Sequence, residues 1–402
     1  MPSPSEEHVT PQRIPVPTEH IYDTQARLRD IGPVVPIELS GGISVWAVTT
    51  HAAAHEVLSN DKVYARNSRN WPALHDGSIP ADWPFRPFIE ADHMATADGL
   101  DHRRLRTMVN KAFTPSRVTA LAPRIEEITA ALIGDLTAAG DGVDLVPAFG
   151  EALPIKVICE LFGIPEEDRA PLRAWTQSVI NAGDQSVEAQ FAMLGYLARF
   201  AERRRADPRD DLTSMLIKVQ QDGEVTLSDD ELAGMLFLFV IAGHETTMHL
   251  LDNAIVALSV HPDQRDLAIR DGLWEQVVEE TLRRYPSVPM AVFRFTTQDT
   301  TLAGVELPAG APLLLSLSGT DSAQHGADAN GFDITRSPRA HLAFGHGPHF
   351  CVGAPLARLE GRIGLSALYQ RFPKLRMAVD PSEVMYTSFT TSGPASLPVH
   401  LY

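Results

Sequence analysis

The chain has 402 residues, of which 44% are apolar and 21% are charged, and its net charge is −17 at pH 7. This is the composition of a globular protein with a large core, and it excludes a disordered or fibrous chain. The negative charge argues against a general nucleic-acid binder, which needs a basic surface.

The number of cysteines and the length of the apolar runs indicate the cellular compartment in which the protein is expected. Only two cysteines occur, Cys159 and Cys351, which excludes a four-cysteine zinc site and disfavours a disulfide scaffold. Cys159 lies in the apolar helical stretch LPIKVICELFGIP and is expected to be a small buried side chain. The N-terminus is polar and proline-rich, unlike a signal peptide, and the longest apolar run, residues 232–243, is shorter than the ~20 residues of a membrane span. We therefore expect a cytoplasmic protein without a membrane anchor.

The first half of the chain predicts one hairpin and then mostly helices. Residues 34–49 predict a β-hairpin around Gly41-Gly42, and a short helix with a threonine N-cap follows over residues 49–60. Residues 70–99 are dense in Pro, Trp, Phe and Asp and too long for an ordinary connection, so we expect a binding loop or lid. Between residues 101 and 203 the sequence predicts several helices, broken at Pro115, Gly140, Pro154, Pro165 and Gly183.

The stretch DHRRLRTMVNKAF is a basic helix in an acidic protein. His102 and Arg106 share one face at a spacing of four residues, while Arg103 and Arg104 point elsewhere. One interpretation is a basic face in solvent. The other is anion recognition on one side and an acidic partner protein on the other.

The longest helical pattern runs over residues 228–262. Ser228 and Glu231 form a capping box, and the apolar residues are not confined to one face, so we expect a central buried helix. Gly243, Glu245 and Thr246 interrupt its least polar part. Solvent exposure at this point is one interpretation, but apolar flanks on both sides favour a buried carboxyl beside a hydroxyl, which is typical of a proton path.

Two features follow the central helix. In EETLRR, Glu280 and Arg283 lie three residues apart, and by spacing alone they predict a common surface ion pair. Residues 301–317 predict short strands separated by Gly-Pro turns.

The loop FGHGPHFCVG, residues 344–353, contains Cys351 with His346 and His349, and His341 lies just upstream. One cysteine and three histidines could form a tetrahedral zinc site. A thiol nucleophile is the second interpretation, because Cys351 directly precedes a predicted helix whose N-terminus favours thiolate. A nucleophile would leave the polar residues of the central helix unexplained.

Taken together and in this order, these four features resemble a cytochrome P450. The loop matches the family's haem-binding signature Phe-x-x-Gly-x-x-x-Cys-x-Gly, at Phe344, Gly347, Cys351 and Gly353. The central helix matches its [Ala/Gly]-Gly-x-[Asp/Glu]-Thr-[Thr/Ser] oxygen-activation motif, Glu280 and Arg283 its Glu-x-x-Arg pair, and His102 and Arg106 the helix that meets the haem propionates. The likeness covers about residues 20–402. It implies a mainly α fold with a small β-rich lobe, a triangular helical prism with haem between the central helix and the cysteine-loop helix.

The resemblance also implies a role for each site residue. Cys351 is the implied thiolate ligand of haem b iron. Thr246 would hold dioxygen and its water, and Glu245 would relay protons. The other implied cofactor contacts include the donors to the propionates and the small residues that leave room over the haem: His102, Arg106, Ala242, Gly243, Arg294, Phe344, His349 and Gly353.

Further residues are implied for the substrate pocket, the structural pair and the redox partner. The pocket residues together make an apolar pocket for a hydrophobic substrate: Trp83, Phe85, Phe88, Val179, Ile180, Leu238, Ile241, Ala242, Val288, Ala291, Val292, Phe389, Thr390 and Thr391. Glu280 and Arg283 become a buried structural pair. The basic face expected to dock a ferredoxin comprises Arg103, Arg104, Lys111, Arg358 and Arg362.

One position departs from the family pattern. Members usually carry an arginine before the phenylalanine of the segment ahead of the haem loop, completing a Glu-Arg-Arg network. Here the stretch is ANGFDITR, and Gly331 stands in that place. The sequence leaves open whether Arg336 substitutes for the missing arginine.

The resemblance is closest in style to soluble actinobacterial members, near the branch that hydroxylates steroids and polyketides. We expect a monooxygenase that uses dioxygen and two electrons from an iron–sulfur ferredoxin, with a separate NAD(P)H-dependent reductase. A steroid-like substrate is expected first and a macrolide or other polyketide next. The alternatives are a peroxide-driven peroxygenase, disfavoured by the Glu245–Thr246 pair, and a non-catalytic haem sensor or carrier. Residues 1–19 are expected to be a polar arm and residues 20–402 a single domain.

Overall fold

A computed structural model describes residues 11–15, 19–91, 93–180, 185–222, 227–318, 325–337, 340–386 and 390–402, except for the side chains of residues 87, 88, 180, 291 and 292. Its α-helices are α1 Ile21–Ile31, α2 His51–Ser59, α3 Pro72–His75, α4 Arg86–Glu90, α5 Gly99–Ala112, α6 Pro115–Ala120, α7 Ala122–Ala139, α8 Ala152–Phe162, α9 Glu166–Ile180, α10 Ser186–Ala206, α11 Leu212–Gln221, α12 Asp229–Val260, α13 Pro262–Asp271, α14 Trp274–Arg284 and α15 Ala354–Arg371. Its strands are β1 Gln12–Arg13, β2 Val34–Leu39, β3 Ile43–Val48, β4 Tyr64–Ala65, β5 Met290–Thr296, β6 Thr300–Leu302, β7 Val305–Leu307, β8 Pro312–Ser316, β9 Arg376–Met377 and β10 Val399–His400.

The main sheet has six strands in the order β1-β2-β3-β8-β5-β4. The predicted hairpin is confirmed: β2 and β3 pair antiparallel, and Gly41 and Gly42 turn the chain with φ values of 84° and 75°, which glycine adopts without strain. Strand β8 pairs parallel with β3 and antiparallel with β5, which joins the two halves of the chain. Within the expected N-terminal arm, Gln12–Arg13 pair with β2 and Ile14 is buried.

The segment over residues 70–99 is packed onto this sheet by its aromatic side chains. Trp71 and Trp83 are buried, with their ring centroids 5.8 Å apart. Trp71 also stacks on Phe295 of β5 at 5.8 Å. The short helices α3 and α4 lie in this segment, so its backbone is partly helical. It is therefore anchored over the sheet at these two rings.

Most predicted helix breaks coincide with real boundaries. Helix α6 begins at Pro115, α7 ends before Gly140, and α9 begins directly after Pro165. The predicted break at Pro154 is wrong, because Pro154 lies in the first turn of α8, where a missing N–H costs no intrahelical bond. Gly183 lies outside the described residues.

Helix α12 is the central buried element, as the sequence predicts. The Ser228 hydroxyl accepts from the Glu231 N–H at 3.1 Å, and the Glu231 carboxylate accepts from the Ser228 N–H at 2.8 Å, so the capping box is complete. Helices α8, α10, α14 and α15 all pack against α12. Among the described helices, α12 has the length and apolar character of a membrane span, yet half of its most apolar stretch is buried inside the protein.

Candidate active site

A cavity of about 320 Å³ lies between the middle of α12 and the loop that carries Cys351. Residues from α5, α12, β5 and the loop at 344–353 converge on it. All of the cofactor contacts expected from the sequence line this one cavity: His102, Arg106, Ala242, Gly243, Arg294, Phe344, His349, Cys351 and Gly353. His102 and Gly353, the first and last of these residues, are 251 positions apart in the chain and meet at one cavity.

The cysteine loop is shaped by two glycines. Gly345 and Gly347 both have φ near 71°, and a Cβ on Gly347 would lie 2.4 Å from the Leu58 carbonyl oxygen, so a side chain is excluded there. The Cys351 N–H donates to the Phe344 carbonyl oxygen at 2.9 Å and closes the loop. Helix α15 then begins at Ala354.

The accessible surface of Cys351 faces the cavity, while protein atoms enclose the rest of the thiol. Burial raises the thiol pKa, and the backbone N–H of Gly353, the guanidinium of Arg106 and the N–H of Ala354 act in the opposite direction. Amide N–H groups directed at sulfur stabilise thiolate. The position of Cys351 at the cavity, with N–H groups directed at its sulfur, suits a thiolate metal ligand.

The donors expected to bind propionates surround one edge of the cavity. The rings of His102 and His349 lie 3.9 Å apart, centroid to centroid. Burial lowers the pKa of His349 to about 2, with the neighbouring Arg294 charge as the next cause, and burial also lowers the pKa of Arg294 well below its usual value. The buried Nε2 of His102 has no hydrogen-bond partner among the described residues.

The buried cationic and hydrogen-bond donor groups at this edge show whether haem would fit the cavity. Burying cationic groups beside each other is costly unless anions compensate them, and two propionate carboxylates would do so for Arg106 and Arg294. The apolar side of the cavity, with Leu238, Leu250 and Val288, suits the macrocycle. The residues present therefore fit haem. When bound, haem supplies an iron centre that activates dioxygen for insertion of one oxygen atom into a C–H bond.

The remaining loop histidines do not form a zinc site. His341 Nε2 lies 3.3 Å from Glu279, and the His346 ring packs on the His55 ring at 4.1 Å. In the described part of the chain no group of three His, Cys, Asp or Glu side chains is arranged to hold a metal ion. The zinc interpretation is therefore not supported.

Gly243 lines the cavity, but its lack of a side chain has a packing reason. A Cβ at this position would lie 2.7 Å from Cδ1 of Ile158 on α8. The glycine therefore lets α12 pack closely against α8. The neighbouring Ala242 is exposed to the cavity, as expected for a small residue over the cofactor.

The side chains of Thr246 and Glu245 point to different surroundings. The Thr246 hydroxyl donates to the Ala242 carbonyl oxygen, four residues back, at 2.7 Å, and keeps its lone pairs for accepting. The Glu245 carboxyl is buried; Oε1 accepts from the Thr391 hydroxyl at 2.9 Å and lies 3.5 Å from Nε2 of the buried His249. Sequence reasoning missed His249, since a histidine in a buried helix usually reads as packing.

A second cavity, of about 180 Å³, adjoins the first, and both are lined by Arg66, Ala242, Thr246 and Val288. Six residues expected in the substrate pocket line the second cavity: Phe85, Ile241, Ala242, Val288, Thr390 and Thr391. Ile89, Thr96, Glu245 and Phe293 complete its wall. It is a mostly apolar space with hydroxyls, one carboxyl and the Arg66 guanidinium at its surface.

The other expected pocket residues have different locations. Leu238 lines the first cavity. Trp83 lines neither cavity: it is a core residue whose Nε1 donates to the Ser40 carbonyl oxygen at 2.9 Å, which corrects the expectation. Val179 is buried and lines neither. The expected side-chain contacts of Phe88, Ile180, Ala291, Val292 and Phe389 lie outside the described part of the structure.

Glu280 and Arg283 form a fully buried bidentate pair, with Nε–Oε2 at 2.8 Å and Nη2–Oε1 at 2.7 Å. The common surface pair expected from spacing alone is thus wrong. Arg336 supplies the third member, since its Nε lies 3.3 Å from Glu280 Oε1. Arg283 also donates to the carbonyl oxygens of Ala329 and Gly331, both at 2.7 Å, so it holds the segment in which the usual arginine is missing.

The basic face expected to bind a ferredoxin divides into two groups. Arg103, Lys111 and Arg362 are exposed. Arg104 instead pairs with Glu231 at 2.5 Å.

Arg358 pairs with Glu279 at 2.6 Å and lies over the Phe344 ring at 4.6 Å. Burial raises the pKa of Glu279, but hydrogen bonds from His341 and Arg358 outweigh this and lower it to about 2. Beside these cations, Phe350 is 41% exposed, one residue before Cys351.

Known proteins of similar sequence and structure match this chain over most of its length. The family model for cytochrome P450 matches residues 172–267 and 272–397. The 2-hydroxy-5-methyl-1-naphthoate 7-hydroxylase of Streptomyces carzinostaticus is 38% identical over 97% of each chain. Vitamin D(3) 25-hydroxylase of Pseudonocardia autotrophica is also 38% identical, over 94% of this chain and 93% of the relative. The testosterone-bound structure of CYP154C4 from Streptomyces sp. ATCC 11861 superposes with a TM-score of 0.93, at 39% identity over 98% of each chain.

Proposed function

This chain belongs to the cytochrome P450 family, and we propose that it hydroxylates a rigid, mostly apolar molecule of steroid size, with macrolide-like polyketides as the second class. It is a haem b monooxygenase, as its named relatives are. One observation carries the proposal: the cavity around Cys351 adjoins a second, mostly apolar cavity, and the two share lining residues. A substrate in the second cavity would lie against Thr246 and Ala242 of α12, beside the haem site.

Relatives support this size and polarity of substrate. CYP154C4 holds testosterone in its solved structure, and two curated relatives are named for a bicyclic aromatic acid and for vitamin D(3). All three compounds are mostly hydrocarbon ring systems with one or two polar groups, and testosterone and the naphthoate have rigid fused rings. We further propose a cytoplasmic enzyme supplied with electrons by a ferredoxin and a separate NAD(P)H-dependent reductase.

The proposal is tested with a panel of steroids and macrolides, read by the change in haem spin state on binding. We expect several steroids to shift the ferric haem to high spin, and a reconstituted ferredoxin system to hydroxylate at least one of them. A panel in which only macrolides bind would move the substrate to the second class. Binding without any product would contradict a monooxygenase role for that ligand.

The proposed proton route predicts the behaviour of a Thr246→Ala variant. Thr246 and Glu245 would deliver protons to the distal side of the haem site, and a positioned acid or base contributes about 10²- to 10⁴-fold to the rate of such a step. We expect substrate binding to be retained while product formed per reductant consumed falls roughly tenfold, with hydrogen peroxide as the other product. Both products are measured against reductant consumption. Thr246→Ser, which keeps the hydroxyl, should restore coupling, and normal coupling in Thr246→Ala would refute the role.

The exposed cations predict where the ferredoxin docks. Reversing charge at Arg103 or Arg362 should slow first-electron transfer about tenfold at low ionic strength, because steering by exposed charges is lost, and the difference should shrink in high salt. Arg104 is a poor probe, since its reversal would place a carboxylate against Glu231. The control is Arg199→Glu, at an exposed arginine on α10. Equal slowing in the control would argue against a specific dock.

A further inference from the structure

Arg66 lies directly after β4 and lines both cavities, although nothing in its sequence surroundings marks it as functional. Its Nε donates to the Ala95 carbonyl oxygen at 2.7 Å, and its Nη1 donates to the Phe293 carbonyl oxygen at 2.8 Å. Its backbone N–H donates to Asp98 Oδ1 at 2.8 Å. Two hydrogen bonds therefore fix the guanidinium where the two cavities adjoin, and a third fixes the backbone that carries it.

The charge of Arg66 is incompletely compensated. Both hydrogen-bond partners of the guanidinium are neutral carbonyls, and the Asp98 carboxylate is bound by the backbone N–H groups of Arg66 and Asn67 instead. Burial lowers the pKa of Arg66 to about 10, opposed by the Asp98 charge. A desolvated guanidinium without a directly bound carboxylate is costly, and an anion placed against it removes that cost.

The neighbouring cations make an anion more necessary. Arg294 Nη1 donates to the same Phe293 carbonyl oxygen at 3.1 Å, so two guanidinium groups share one acceptor. Haem would bring two propionate carboxylates, and Arg106 and Arg294, which line its cavity, would supply one guanidinium for each. Arg66 is the third arginine that lines the first cavity, and of these three it alone also lines the second cavity, in which the substrate is proposed to bind.

We infer that Arg66 binds a carboxylate carried by the substrate, so that the substrate is a rigid, mostly apolar acid. The inference rests on the proposed function, which it narrows from apolar molecules in general to acids. The rest of the second cavity sets the orientation. Phe85, Val288 and Phe293 offer apolar contact, while the Glu245 carboxyl on the same wall repels a second carboxylate. The acid would therefore enter with its carboxylate at Arg66 and its ring system against the apolar wall.

The test compares matched acids and amides on the ferric holoenzyme. The probes are 1-naphthoate with 1-naphthamide, and androstene-17-carboxylate with its primary amide, titrated by spin-state change and by equilibrium dialysis. We expect the wild type to bind each acid more tightly than its amide. Arg66→Gln should weaken acid binding by roughly 10- to 100-fold, the range for a buried hydrogen bond to a charged group, and leave amide binding unchanged. Arg66→Lys keeps the charge and should retain part of the preference.

Haem content separates the two possible sources of a carboxylate. We expect the haem-to-protein ratio and the carbon monoxide band of Arg66→Gln to equal those of the wild type. A variant that loses haem but keeps the wild-type ratio of acid to amide affinity would show that Arg66 serves a propionate, and the inference would fall. A wild type without preference for either acid overturns it even if no variant folds. Testosterone binding and hydroxylation, measured in parallel, report on the proposed function separately from the acid preference.

Discussion

Replacing Cys351 by serine is expected to remove the red-shifted carbon monoxide band of the reduced protein and to lower hydroxylation to background. Among the described residues that line the cavity, Cys351 carries the only thiol, and the N–H groups of Gly353 and Ala354 are directed at its sulfur. A serine hydroxyl is a harder ligand that does not supply the electron density on which oxygen activation depends. The band is read in the difference spectrum, and product is measured with the reconstituted redox system.

The chain contains its own matched control. Cys159, the other cysteine, is fully buried in α8, and burial raises its pKa to about 12. Cys159→Ser should keep the red-shifted band and the haem content, with only a modest loss of stability from a buried hydroxyl. A red-shifted band that survives in Cys351→Ser, or one that disappears in Cys159→Ser, would contradict the assignment of the ligand.

Local features of the structure could be predicted from the sequence closely. The Ser228–Glu231 capping box and the threonine N-cap of α2 are confirmed, because a cap depends on residues within one helical turn. The glycines of the hairpin and of the cysteine loop could also be interpreted locally, because a positive φ favours glycine at that one position. The prediction that the cofactor contacts share one cavity came from the family resemblance. The family's motifs are far apart in sequence but known to be close in the fold, which the residues alone do not show.

Contacts between distant segments could not be predicted. Thr391 reaches Glu245 from 146 residues away, and Arg66 meets Phe293 across 227 residues. These long-range hydrogen bonds depend on how whole helices and strands pack. A polar side chain considered by itself could form a hydrogen bond with many different partners. Trp83 is a second example. The sequence predicted a pocket residue, but Trp83 is buried in the core, where its indole N–H donates to the Ser40 carbonyl oxygen.

The Glu280 network predicts the largest effect on folding. Glu280→Gln would leave Arg283 and Arg336 facing an uncharged amide in a site with no solvent access for the pair. Removing one partner of a buried ion pair costs about 3–5 kcal/mol, a large part of the total stability of a typical domain. We expect the variant to accumulate mostly as apoprotein or aggregate. Soluble yield and haem incorporation measure this, with urea unfolding of any holoprotein that is recovered.

A series of variants with graded expected losses of stability tests whether Arg336 belongs to the Glu280–Arg283 network. Arg336 is attached by a longer contact and is 10% exposed, so Arg336→Ala should keep the fold and lower the free energy of unfolding by about 1–3 kcal/mol. Arg270→Gln, in an exposed pair with Asp271, should leave stability unchanged. If Arg336→Ala were as stable as the wild type, Arg336 would not contribute to stability, and the network would consist of Glu280 and Arg283 only. The order of stability is therefore the decisive result: wild type equal to Arg270→Gln, then Arg336→Ala, then Glu280→Gln.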